Sequence, residues 1–257
     1  MTTASRVVIL ITIYNCHFAF GIAMSAKADL IKELIPTGKL RVAIAVAPAP
    51  SALYAVKDST SGKFLGLTVD LGAALARKLG VPVESIPHLT SGEIQNSAAS
   101  GTWDVTFMPV DEERKKFVDF GNAYHLLQST YLVAPGSKIA KVEDANAPGV
   151  RIGGVANTAT FRAAQRTAPK ATFVTVAGVD AAIAGMNAGE IDCIALSRES
   201  LSGLVTKIPG SRMLEGGFLN SSTAVAVPKD KPGALAYASA FIEEAKANGS
   251  SARRWMR

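Results

Sequence analysis

From Gly38 onward, apolar runs of strand length alternate with stretches whose apolar residues recur at helical spacing. Leu40-Arg41-Val42-Ala43-Ile44-Ala45-Val46 predicts a buried strand, stopped by Pro48 and Pro50. Phe64-Leu65-Gly66-Leu67 then leads into a helical stretch from Val69 to Leu79, where Leu71, Leu75 and Leu79, with Ala74 beside them, make one apolar face. Gly80 is the expected helix stop, with Pro82 after it, and Val81 to Ile86 reads as the next strand. Strand, helix and strand in this order predict right-handed crossovers and a mainly parallel sheet, an α/β fold.

Two segments repeat one another. Ile94 to Val105 ends in Ser100-Gly101-Thr102-Trp103-Asp104-Val105, and Ala182 to Ile194 ends in Ala188-Gly189-Glu190-Ile191-Asp192-Cys193-Ile194. In both, a helix stops at Gly, two residues pass, and Asp opens an apolar strand. This predicts two similarly built lobes. The β-rich runs Ser129 to Val133 and Thr223 to Val227, closely followed by Pro135-Gly136 and by Pro228, are the expected crossovers between them. Lobe 1 would then comprise residues 38–130 plus 224–257, and lobe 2 residues 131–223. A final helix from Gly233 to Asn248 is expected to lay Leu235, Phe241 and Ile242 against lobe 1.

A chain of 257 residues is comfortable for two lobes, and 48% hydrophobic with 19% charged residues is the composition of an ordinary globular protein. At the start, Arg6 precedes the apolar run Val7 to Ile13, then Phe18 to Ala23, and the stretch closes on Ala26-Lys27-Ala28. A basic start, an apolar middle and an A-x-A end predict a secretory signal peptide over residues 1–28, hence a periplasmic protein. Tyr14, Asn15 and His17 interrupt the run, which makes it a poor membrane anchor, and Tyr14 and Asn15 are too large to precede a lipidated Cys16. Removing this leader takes Arg6 and Lys27 from a net charge of +6, leaving about +4. The positive charges are scattered, without the basic stripe and interleaved aromatics of a nucleic-acid surface. With Cys16 gone, Cys193 is alone, so no intrachain disulfide is expected, and its apolar surroundings suit a buried filler.

The order and spacing of three motifs carry a family resemblance. They are Gly38-Lys39-Leu40-Arg41-Val42, then Gly62-Lys63-Phe64-Leu65-Gly66-Leu67-Thr68-Val69-Asp70-Leu71, then Glu113-Arg114-Lys115-Lys116-Phe117-Val118-Asp119-Phe120 with Ala123-Tyr124 after it. Over these stretches the chain resembles the extracellular solute-binding proteins of family 3, amino-acid receptors of ABC importers. The resemblance runs from Gly38 to the end and implies a periplasmic type II fold, two α/β lobes that close around a small ligand. It also implies an importer permease as partner, no cofactor or metal, and a trap that is simplest as a monomer. Arg114 matches the arginine that grips the ligand carboxylate in the family, where a planar guanidinium fork fits two carboxylate oxygens. Asn157-Thr158-Ala159-Thr160 matches the opening of a second-lobe helix, whose amides and hydroxyls would complete an anion site. The expected binding residues are Arg114, Asp111, Thr158, Ala159, Ser197 and Phe107.

Departures from the family pattern bear on the ligand. The end of the first strand, Ala45 to Pro50, holds no carboxylate, and Ser197 stands where amino-acid binders carry an Asp for the ligand ammonium. The aromatic after the first strand is replaced by Ser51 or Ala52, and Pro109 and Asp111 stand where small hydroxyl residues precede the arginine. An ammonium buried without a carboxylate is costly, so the expected ligand carries a carboxylate and no free α-amino group. Asp111, three residues before Arg114, could instead rescue amine recognition, which would restore an amino acid as the ligand.

Enzyme chemistry has little to stand on. His88 and His125 are far apart in sequence, Gly153-Gly154 lacks the third glycine of a dinucleotide loop, and paired-Cys metal spacing and H-E-x-x-H are absent. The alternative on the same fold is a periplasmic dehydratase of the cyclohexadienyl dehydratase type, which also holds a carboxylate with this arginine and would need an acid such as Glu93, Asp111 or Glu199. A ligand-sensing partner of a membrane receptor is the third reading.

Overall fold

A computed structural model describes residues 32–47 and 54–247. The expected signal peptide, the residues 48–53 and the last part of the expected final helix lie outside the described residues. The apolar run predicted as a strand forms β1 (Leu40–Val46), and the next strands are β2 (Tyr54–Lys57) and β3 (Phe64–Leu65). Helix α1 (Leu67–Leu79) buries Leu71 and Leu75 against Leu40, Val42 and Ile44 of β1, with Leu79 packed at the edge of the same cluster. Each buried leucine contributes about 2 kcal/mol. Gly80 ends the helix in the left-handed region at φ 71, returning its N–H to the carbonyls of Ala76 and Arg77, a conformation that suits glycine.

The chain continues through β4 (Val83–His88), α2 (Ser91–Asn96) and β5 (Val105–Pro109). β1 runs parallel to β2, β4 and β5. A second parallel group holds β7 (Arg151–Val155), β8 (Thr172–Val176) and β9 (Cys193–Ser197), with α3 (Ala159–Thr167), α4 (Val179–Asn187) and α5 (Arg198–Val205) between and after them. Two antiparallel strands join the groups: β6 (Val118–Val133) and β11 (Leu219–Pro228) pair along their length, β11 also pairs with β5, and the last residues of β6 pair with β9. The short β10 (Arg212–Met213) adds to β6. One continuous sheet results, in the order β3-β2-β1-β5-β11-β6-β9-β7-β8. The joining strands are longer than the apolar runs at Ser129–Val133 and Thr223–Val227 that anticipated them. Helix α6 (Pro232–Ala247) places Phe241 and Ile242 in the cluster of β1 and α1.

The repeat visible in the sequence is one structural device used twice. Asp104 accepts from the backbone N–H of Arg41 at 2.9 Å, from its Nε at 3.0 Å and from Nη2 at 2.6 Å. Asp192 accepts from the same three groups of Arg151 at 2.7, 3.0 and 2.6 Å. Each Asp thus clamps the opening of the first strand of its parallel group to the strand that it precedes. The preceding turns use Gly101 and Gly189, at φ 67 and 71.

Candidate functional site

The C-terminal ends of the two parallel groups face each other across a cleft. β5 ends at Pro109, and the chain turns so that the N–H of Arg114 bonds to the carbonyl of Asp111 at 3.1 Å. This turn brings Arg114 inward, where it is fully buried, so it is not a solvated surface residue. Nη1 donates to the Pro109 carbonyl at 3.1 Å and Nη2 to Ser91 Oγ at 2.7 Å. Nε meets no hydrogen-bond partner among the described residues. Burial first, then the nearby Arg162, pulls the guanidinium down to about 10, with Asp111 and Tyr54 opposing the fall. It is therefore charged at neutral pH, and it stands directly behind Ser91 and Pro109, which form one wall of the cleft.

Ser91 opens α2 directly after Thr90, whose side chain caps the helix by accepting from Glu93 N–H at 3.0 Å. Glu93 in turn accepts from the N–H of Leu89, the residue before the cap, at 2.8 Å. Tyr54 pairs in parallel register with Ala45 and lines the same wall. Burial pushes its hydroxyl up to about 12, with Arg114 partly offsetting, so it is neutral and able to hydrogen-bond.

The opposite wall starts at Asn157, which takes φ 56 between β7 and α3, a left-handed turn that Asn tolerates. That turn sets Thr158 as N-cap of α3: its hydroxyl accepts from Phe161 N–H at 3.2 Å and donates to the Val155 carbonyl at 2.9 Å. Thr160 reaches Ser129 Oγ at 3.2 Å. Both expected hydroxyls are therefore engaged inside the wall, and the amides of Phe161 and Arg162 are bonded to Thr158. Ser197 is the N-cap of α5, accepting from Ser200 N–H at 3.3 Å. Thr158, Ala159, Thr160, Leu127, Leu196 and Ser197 complete a narrow cavity with Tyr54, Ser91 and Pro109. No Asp or Glu is among these lining residues.

Of the expected site residues, Thr158, Ala159 and Ser197 line this cavity, and Arg114 stands behind Ser91 and Pro109. Phe107 does not belong to it. Its ring is buried in the cluster under α1 and α6, edge-on to Tyr124 at 5.9 Å, on the side of β5 that faces those helices. Asp111 is absent from the cavity lining, and its Oδ1 pairs with Arg162 of α3 and accepts from Glu113 N–H. The expected loss of a cleft aromatic falls on Ser51 and Ala52, outside the described residues; Tyr54, which the β1–β2 register brings beside Ala45, lines the cavity. Ser91 and Arg162 were not anticipated, although Thr90-Ser91-Gly92-Glu93 reads as a capping box and Arg162 stands one turn beyond Thr158.

The other candidate acid–base groups are engaged. His125 pairs with Glu199, and His88 sits between the Ile86 carbonyl at 3.1 Å and Ser97 Oγ at 3.2 Å. Cys193 is fully buried, which pushes its thiol up to about 12. Among the described residues, no group of His, Cys, Asp and Glu could hold a metal, and no helix is long and apolar enough to cross a membrane.

The profile of the bacterial extracellular solute-binding proteins, family 3, matches residues 40–256. The glutamine-binding protein of Geobacillus stearothermophilus is 26% identical over 217 residues, 80% of this chain and 79% of that protein. The ABC transporter glutamine-binding protein GlnH of Bacillus subtilis (strain 168) is 24% identical over 208 residues, 77% of this chain and 73% of its own. Among solved structures, the ancestral amino acid-binding protein AncCDT-1, a precursor of cyclohexadienyl dehydratase, superposes with a TM-score of 0.75 at 26% identity, covering 88% of this chain and 98% of that one.

Proposed function

The chain belongs to the bacterial extracellular solute-binding proteins, family 3, and from that premise we propose that it captures a small carboxylate-bearing solute and delivers it to the permease of an ABC-type importer. The observation that carries this reading is Arg114, a fully buried guanidinium that no Asp or Glu pairs with among the described residues. Asp111, shared with Arg162, offsets this charge only in part; an under-compensated buried charge is unfavourable, and a ligand carboxylate supplies the missing counter-ion. Ala159 and Thr160, the first residues of α3, line the same cavity and would add backbone donors at the positive end of a helix. Lobe 1, residues 38–130 with 224–257, and lobe 2, residues 131–223, would close around the ligand, with β6 and β11 as the strands that bend. Such a protein works outside the cytoplasmic membrane, exported by the leader at residues 1–28.

The ligand carries no free α-amino group. The cavity lining has no acid, Ser197 offers only a hydroxyl that already caps α5, and Asp111 is held by Arg162. Tyr54, Ser91 and Ser197 suit neutral hydroxyl or oxo substituents better than an ammonium. The relatives that bind amino acids set the general class, and these residues narrow it. Calorimetric titration with α-amino acids and with the 2-hydroxy and 2-oxo acids of matching side chain tests the reading: the amine-free acids bind, and tight binding of an ordinary α-amino acid would overturn it. Glu93, Asp111 and Glu199, the acids a dehydratase would need, are engaged by Leu89, Arg162 and His125. Incubation with prephenate or arogenate is therefore expected to give no product absorbance.

A further inference from the structure

We propose that Arg162 sets ligand specificity: by pairing with Oδ1 of Asp111, it neutralises the carboxylate charge that an α-ammonium group would need. The inference rests on the carboxylate-binding reading above and goes beyond it by naming the residue that excludes amines. Asp111 follows the end of β5 and Arg162 stands in the second turn of α3, so their ion pair joins the two walls. The side chains are 10% and 20% exposed, too buried for the pair to be a screened surface contact.

Charge counting gives the pair its consequence. Arg114, Arg162 and Asp111 are two cations and one anion, and Arg114 feels both of the others. The cluster is left with one net positive charge, which a monocarboxylate neutralises. A zwitterionic amino acid would leave the cluster positive and bring an ammonium with no carboxylate to receive it, which is costly in a closed cleft. The Asp111 charge acts on Arg114, so freeing Asp111 from Arg162 would leave an uncompensated carboxylate within electrostatic reach of a group bound at that guanidinium.

The test compares Arg162→Gln with wild type by calorimetric titration, using the twenty common α-amino acids and their 2-hydroxy acid counterparts as probes. The Gln variant is expected to gain affinity for at least one α-amino acid, by about tenfold or more over wild type. Arg162→Lys, which keeps the charge, is expected to gain none, and the double variant Asp111→Asn with Arg162→Gln is expected to lose the gain. A merely structural role for Arg162 would not produce new amine binding. Arg162→Leu, which keeps the packing of the stem, gives the same readout should the Gln variant fold poorly. Wild type binding the amine-free acids while neither neutral variant gains an amino acid would overturn the inference and leave the reading above intact, as would a gain that survives in the double variant. Wild type binding α-amino acids as tightly as their amine-free counterparts would overturn both.

Discussion

Arg114 is buried at a cost that its surroundings do not offset. Burial and Arg162 both disfavour its charge, and only Asp111 and Tyr54 oppose them. Because the folded value is depressed below the usual one, the charged side chain destabilises the unliganded fold at neutral pH. Replacing it by an apolar side chain of similar length is therefore expected to stabilise. Arg114→Met should raise the melting temperature of the unliganded protein, equivalent to about 1–3 kcal/mol, although it removes the bonds to Ser91 and Pro109. A lowered melting temperature would mean that those bonds outweigh desolvation. Arg114 could be singled out in the sequence because it stands in a motif of fixed spacing ahead of Val118-Asp119-Phe120. Tyr54 was not, since its place depends on the parallel register of β2 beside β1, which no local pattern encodes. Phe107 misled for the related reason that a strand end offers two faces, and only packing under α1 and α6 decides between them.

At the scale of elements, the twin Arg–Asp clamps are alike in geometry and differ in burial. Arg41 and Asp104 have side chains 16% and 3% exposed, while Arg151 and Asp192 are 40% and 32% exposed. Asp104→Asn should accordingly cost about 3 kcal/mol and Asp192→Asn no more than about 1 kcal/mol, measured by denaturant unfolding; equal costs would show that burial does not govern them. Hydrogen bonding and ion pairing with Arg151 hold the Asp192 carboxyl below its usual range. A depressed folded value means that its stabilisation is complete above the ordinary carboxylate range and is lost as pH falls through the lower value. The melting-temperature gap between wild type and Asp192→Asn should thus be constant near neutrality and close in acid. Strand β1 and helix α1 were legible because one is a continuous apolar run and the other repeats leucine every four residues. Most of β6 was not: Gly121, Asn122, His125 and Gln128 break any alternation, because this stretch pairs with β11 over a partly exposed course and no second apolar face has to be buried.

At the scale of the whole molecule, two similar halves were legible from the repeated Gly-x-x-Asp unit. Their union into one continuous sheet was not, since it depends on β6 and β11 pairing across some hundred positions of chain. The halves also meet at the cleft mouth. A Cβ on Gly92 of α2 would lie 2.7 Å from Asn157 Cβ and 2.9 Å from the Ala156 carbonyl oxygen, closer than packed atoms allow. Gly92→Ala should therefore prop the walls apart. It is expected to weaken ligand binding about tenfold or more while the melting temperature of the unliganded protein barely changes. Unaltered affinity would show that closure does not require this approach. The central claim, that a buried guanidinium captures the carboxylate of an amine-free acid, is tested most directly by titrating one such acid into wild type and Arg114→Gln. The account predicts binding to wild type that weakens by roughly thirtyfold or more in the variant; equal affinity in the two proteins would contradict it.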